Sequence, residues 1–164
     1  MRGFSRLLVL GLLAACTPQD HRQSMDAEVA RVQAVNDAYR AGWLAADSAA
    51  VLRLFSSDAV LLPHHGDPPV AGLDAIRKFW WPPGAPPTTI EALDIPTDDV
   101  DVTGSSATMW GRFALTFSFP AQGQTRSVSN AGTYLMVLRR QADGEWRITH
   151  RMWDDPVARQ NPAP

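Results

Sequence analysis

The sequence predicts an α+β domain in which three N-terminal helices pack on a strongly curved, mainly antiparallel sheet. Three observations carry this. Apolar residues recur at spacings of three and four as far as Trp81 and at alternate positions from Thr88 onward. Asp143-Gly144 is a hairpin signal between the last two apolar runs. Helices first and strands afterwards is the α+β order, and a strongly bent sheet would leave a cone-shaped cavity over the helices.

Each element follows from its own residues. Asp26–Ala46 is expected to be a long helix, capped by Asp26, because Val29, Val32, Val35, Asn36, Tyr39 and Trp43 form one stripe. Asp47 and Ser48 start a second helix, Ala49–Phe55, with Val51, Leu54 and Phe55 inward. Ala59–Leu62 is strand-like and breaks at Pro63. Leu73–Trp81 forms a third helix after Gly72, stopped by Pro82-Pro83-Gly84. Thr88–Val102 holds one or two strands interrupted near Pro96. In Ala107–Phe119, Met109, Phe113, Leu115, Phe117 and Phe119 share one face, and Thr108, Trp110, Arg112, Thr116 and Ser118 the other. Asn130–Arg140 and Glu145–Trp153 complete the sheet.

The ends belong outside the domain. Arg2 and Arg6 precede an apolar run, Leu7–Leu13, that is shorter than the roughly 20 residues a membrane span needs. The run ends in Leu13-Ala14-Ala15-Cys16, which resembles the bacterial lipobox. Residues 1–15 are therefore expected to be a signal peptide, 16–25 a tether lipidated at Cys16, 26–155 the domain and 156–164 a flexible tail. The expected location is the bacterial envelope, on an outer membrane and facing the periplasm. Thr17 after the cysteine fits that sorting pattern.

Composition narrows the function. Losing Arg2 and Arg6 lowers the basic count from 15 to 13 against 17 acidic side chains, a net charge of −4. No basic stripe for nucleic acid remains. Cys16 is the only cysteine, so no internal disulfide forms. There is no phosphate-binding glycine loop, Ser-His-Asp order or Cys-His nucleophile pattern, and no cofactor is expected.

The order of these segments resembles the NTF2-like superfamily, most closely its SnoaL-like and DUF4440-type members. The resemblance spans residues 26–153. It rests on Leu54-Phe55-x-x-Asp58-Ala59, Gly72-x-x-Ala75-Ile76 and the closing Trp146…Trp153 strand. It implies the cone fold, a small-molecule cavity and a homodimer through the convex sheet face. Ketosteroid isomerases of this superfamily align without gaps. They set Tyr39 on the tyrosine that donates to an enolate oxygen, and Pro63 on the position of the catalytic aspartate.

Next to that proline stand the candidates for chemistry. Histidine's ordinary pKa suits proton transfer near neutral pH, so His64 or His65 would be the base. Successive side chains of an extended segment alternate, so one of the two is expected to face the cavity. Asp67 either orients a histidine or makes a turn with Pro68-Pro69. His150 shares its strand face with Trp146, Ile148 and Met152, as a pocket residue or a core histidine. Trp43, Asp67, Trp80, Trp110, Arg112 and Trp153 are the expected pocket residues, with the dimer surface as the alternative, and favoured, place for Trp110 and Arg112. His64, His65, Asp67 and His150 are metal-compatible, but His-His-x-Asp is not an established chelating spacing, and no metal is expected. The first expectation is therefore a cavity for a small apolar or aromatic molecule. The alternatives are an acid–base enzyme using His64 or His65, His150 and Tyr39, and a non-catalytic assembly module.

Overall fold

A computed structural model describes residues 18–155. The expected signal peptide, the lipidation expected at Cys16 and the expected flexible tail from 156 fall outside the described residues. Helix α1 (Pro18–Leu44) is followed by α2 (Ser48–Arg53), strand β1 (Phe55–Leu62), a 3-10 turn (His64–Gly66), β2 (Val70–Ala71) and α3 (Leu73–Trp80). Then come β3 (Thr89–Asp94), β4 (Thr97–Thr103), β5 (Ser106–Ala121), β6 (Gln124–Arg140) and β7 (Trp146–Asp154). The seven strands form one sheet in the order β2-β1-β7-β6-β5-β3, with β4 also on β5. Every pairing is antiparallel except β1 with β7. This is the α+β layout that the sequence predicts.

The helices form for the expected reasons, with shifted limits. Val32, Val35, Asn36 and Tyr39 are buried along α1, and Trp43 continues the stripe half-buried. The helix begins at Pro18, so Asp26 lies inside it, and residues 18–25 are helical where a tether was expected. No glycine or proline interrupts residues 19–25. Asp47 caps α2 by accepting from the Ala50 N–H at 2.8 Å. That helix stops at Arg53, and Phe55 opens β1 instead of closing the helix. Among the described residues no helix is long and apolar enough to cross a membrane.

Two close backbone approaches shape the sheet. β3 and β4 pair with opposite halves of β5, and the crossing at Pro96 lies over Gly111. A Cβ on Gly111 would lie 2.1 Å from the Pro96 carbonyl oxygen, so only glycine allows the crossing. Asn36 ties this crossing to α1. Its Nδ2 donates to the Ile95 carbonyl at 2.8 Å and lies 3.1 Å from both Thr97 Oγ1 and the Tyr134 hydroxyl. β5 and β6 join through Gln122-Gly123, both at positive φ, a two-residue turn. β6 therefore starts six residues earlier than the expected Asn130.

β7 contains the feature that decides the site. Leu138 pairs with Ile148, yet Val137 pairs with His150, so Thr149 is an extra residue in the ladder. Its hydroxyl donates to the Val137 carbonyl at 3.1 Å. A one-residue bulge reverses which side chains face inward. Trp146 and Ile148 face the core before it; Arg151 and Asp155 are the buried residues after it.

Candidate functional site

Between the helices and the far half of the sheet lies a cavity of about 270 Å³. Trp43 and Trp80 form the helical wall; Ile90, Leu93, Phe113, Leu115 and Phe117 form the sheet wall. Trp43 and Trp80 meet edge to face, with ring centroids 5.3 Å apart, and Trp81 stacks on the outer side of Trp43 at 4.8 Å. His64, Tyr39, Arg151, Trp153 and Asp155 also line the cavity and supply its polar groups.

The His64 arrangement follows from the local backbone. Pro63 stays extended and ends β1, and the chain then tightens into one 3-10 turn with His65 at φ 58°. That left-handed residue breaks the alternation of an extended segment. The two imidazoles lie against each other with centroids 4.0 Å apart and planes inclined by 32°, both turned toward the end of β7. His64 Nδ1 is in hydrogen-bond contact with the Asp155 carboxylate. His65 Nε2 lies 3.0 Å from the Asp155 carbonyl oxygen and 3.4 Å from its carboxylate. His65 is the more exposed of the pair and does not line the cavity.

Gly132 makes room for Asp155. A Cβ there would lie 1.9 Å from the Asp154 carbonyl oxygen and 2.9 Å from Asp155 Cα. Asp155 can thus tuck in, buried, against the histidines. With Nδ1–H of neutral His64 donating to that carboxylate, Nε2 holds the lone pair, the arrangement a general base requires. The ligand atoms of His64, His65 and Asp155 lie within 4.8 Å of one another, close enough to approach a divalent cation together. The carboxylate oxygen is already engaged by His64, so the set reads as a hydrogen-bonded acid–base group.

Arg151 is the second polar element. Its residue is 6% exposed, and its guanidinium carbon lies 4.7 Å from the Tyr39 ring centroid and 5.3 Å from that of Trp153. Burial pushes the Tyr39 hydroxyl above its ordinary pKa, and the Arg151 charge pulls part of that back. Tyr134 is raised as well, chiefly by burial, against the lowering effect of its Thr97 hydrogen bond.

Of the residues expected in the site, Tyr39, His64, Trp43, Trp80 and Trp153 come together around the cavity. Four others do not. His150 is exposed beyond the bulge, its Nδ1 3.2 Å from Thr149 Oγ1. Trp110 is 46% exposed on the convex face. Arg112 lies beside it and pairs bidentately with Asp98 at 3.0 and 3.1 Å, a contact that raises its pKa. Asp67 is exposed, and its backbone N–H donates to the His64 carbonyl at the end of the 3-10 turn; Asp67-Pro68-Pro69 itself forms no turn, and the carboxylate beside the histidines is that of Asp155. Arg151 and Asp155 are the site residues that the sequence did not single out. Both owe their direction to the Thr149 bulge.

The SnoaL-like domain family matches residues 35–150. No curated protein matches the chain. Among solved structures, a ketosteroid isomerase-like protein from Erwinia carotovora atroseptica is similar at 21% identity, over 79% of this chain and 97% of its own, with a TM-score of 0.67. An NTF2-like protein with a cystatin-like fold from Novosphingobium aromaticivorans is 18% identical over 92% and 94% of the two chains, at 0.63. An NTF2-like superfamily protein from Salmonella enterica is 19% identical over 87% and 99%, at 0.64. At these identities the structural likeness establishes the fold alone. The family match covers most of the chain, and the chain, with the fold of NTF2-like proteins, belongs to the SnoaL-like domain family.

Proposed function

We propose that the cavity receives a small, largely apolar molecule and that His64, held by Asp155, moves a proton on it. The supporting observation is that one histidine with a buried carboxylate behind it lines a largely apolar cavity. Proton transfer at a carbon beside a carbonyl needs a base near neutral pH and a donor for the developing oxyanion. His64 supplies the first and the Tyr39 hydroxyl the second. The base that Pro63 cannot provide comes from the next residue, oriented from the end of the neighbouring strand β7. His65 and His150 are exposed, and it is His64 alone, turned into the cavity, that favours the small-molecule reading over an assembly module.

Native mass spectrometry of the purified protein identifies the occupant. That compound is then returned to fresh wild type, His64→Asn and Asp155→Asn. All three are expected to bind it, and only wild type is expected to convert it at full rate. Equal conversion by His64→Asn would remove the catalytic part and leave a binding protein.

Two further proposals concern its setting. Trp110, Leu135, Met152 and Leu62 stand opposite one another across four strands on the convex face. Trp110, Met152 and Leu62 are 46%, 43% and 36% exposed. Such an apolar row suits a homodimer contact, and Trp110→Glu should yield monomers by light scattering. The Leu13–Cys16 pattern supports an envelope lipoprotein, and Cys16→Ser should abolish membrane fractionation.

A further inference from the structure

A buried arginine normally faces a carboxylate, because an unpaired charge taken out of water is costly. Arg151 does not. No ion pair and no hydrogen bond joins its guanidinium to any described residue, and its Nε is buried without an acceptor. Asp155 is the acid at the same end of the cavity, and its carboxylate is engaged by His64 and His65. The rings of Tyr39, Trp153 and Tyr134 lie 4.7, 5.3 and 5.9 Å from the guanidinium carbon. Aromatic faces stabilise the charge, but they leave the N–H donors of the fork without oxygen partners.

We infer that Arg151 is an anion anchor and that the natural ligand of the cavity is a small apolar or aromatic carboxylic acid, bound as its carboxylate. This rests on the small-molecule reading above and adds the ligand's charge. Four features favour this class. A carboxylate matches the guanidinium fork with two parallel charge-assisted hydrogen bonds. Apart from Thr88 and Asn130 the rest of the wall is apolar, with Trp43, Trp80, Phe113 and Phe117 as its rings, which suits a ring or a short apolar chain. The volume of about 270 Å³ limits the body to one or two rings. Trp153 links the two polar groups, its ring 5.9 Å from that of His64 and 5.3 Å from the Arg151 guanidinium. An acid held by Arg151 therefore extends along the aromatic wall within reach of the His64 side of the cavity.

The test uses two probes of one shape, 2-naphthoate and the neutral 2-naphthamide, titrated calorimetrically into the purified full chain. Wild type is expected to prefer the acid by roughly tenfold or more, the size of one well-made charge-assisted pair. Arg151→Met should bind both probes alike, near the wild-type affinity for the amide. Arg151→Lys should keep part of the preference. Removing an unpaired buried cation should leave the melting temperature of Arg151→Met at or above that of wild type. Arg151→Gln repeats the comparison should the methionine variant not fold. Equal affinity of wild type for the two probes, or a preference for the acid that survives in Arg151→Met, would overturn the anion anchor and leave the cavity standing. Failure of wild type to bind either probe at about millimolar concentration would overturn the small-molecule reading itself, and the anchor with it.

Discussion

The same three strands build two different interiors. In one half, Met109, Met136, Leu138 and Ile148 meet the helices and are fully buried. In the other, Phe113, Leu115, Phe117, Arg151 and Trp153 face a cavity. The divide runs obliquely across the ladder: on β5 the cavity side begins beyond Gly111, while on β7 it begins at Arg151, the partner of Met136. Both halves have apolar residues at alternate positions. What separates them is backbone: the chain crossing at Gly111, the gap left by Gly132 and the extra residue at Thr149. The filled half supplies the stability against which an unpaired arginine and an open space can be tolerated in the other.

Truncations should expose that contrast most strongly. Met136→Ala or Ile148→Ala removes a side chain with no exposed surface and should destabilise by about 2–5 kcal/mol in urea melts. Phe117→Ala acts on a half-buried cavity wall and should cost well under that, while enlarging the space for ligand. Equal losses in the two halves would break the distinction.

Gly132→Ala comes next. Its methyl group would run into the Asp154 carbonyl and push Asp155 away from His64. A loss of about 1–3 kcal/mol is expected from overpacking, together with conversion of the co-purified compound as low as in Asp155→Asn. Full activity in this variant would show that the pair does not depend on the close approach.

The alkaline limb of stability should also fall on the cavity side. Tyr39 is neutral in the fold and its pKa is raised above 10.0. The unfolded chain therefore loses this proton first. The stabilisation is full below pH about 10 and declines as the pH rises toward the folded-state pKa. Tyr39→Phe should flatten that decline in urea melts compared between pH 9 and 11. A wild-type slope unchanged by the substitution would assign the limb to other groups, such as Tyr134. The smallest effects belong to His150→Ala and Asp67→Ala, exposed and outside the cavity. Both should stay within about 0.5 kcal/mol of wild type and convert the compound normally.

What the sequence revealed follows the same division. The filled half was legible, because Val32, Val51, Ile76 and Met109 obey simple periodicities and Asp47, Gly72 and Asp143-Gly144 mark the boundaries. The long β5–β6 hairpin was read short, since Gln122-Gly123 is a weak turn signal and Thr125–Ser129 lacks apolar alternation. The cavity half was misread where alternation stops. Counting from Trp146 and Ile148 by twos leads to His150 and Met152, and a single extra residue delivers Arg151 and Trp153 instead. Trp146 and Trp153 stand on opposite parities, so both can face inward only if a residue is inserted between them, a clue present in the sequence. Asp155 joining His64 needs contact between the end of β7 and a turn 91 positions away in sequence, which no local pattern reports.

The central claim is that His64, oriented by Asp155, moves a proton within the cavity. It is tested most directly by incubating the co-purified compound with the protein in heavy water and following carbon-bound deuterium by mass spectrometry. Wild type should wash deuterium into one position, with His64→Asn and Asp155→Asn slower by about 10²-fold or more. Uptake by His64→Asn at the wild-type rate, or no uptake by wild type at all, would contradict the account.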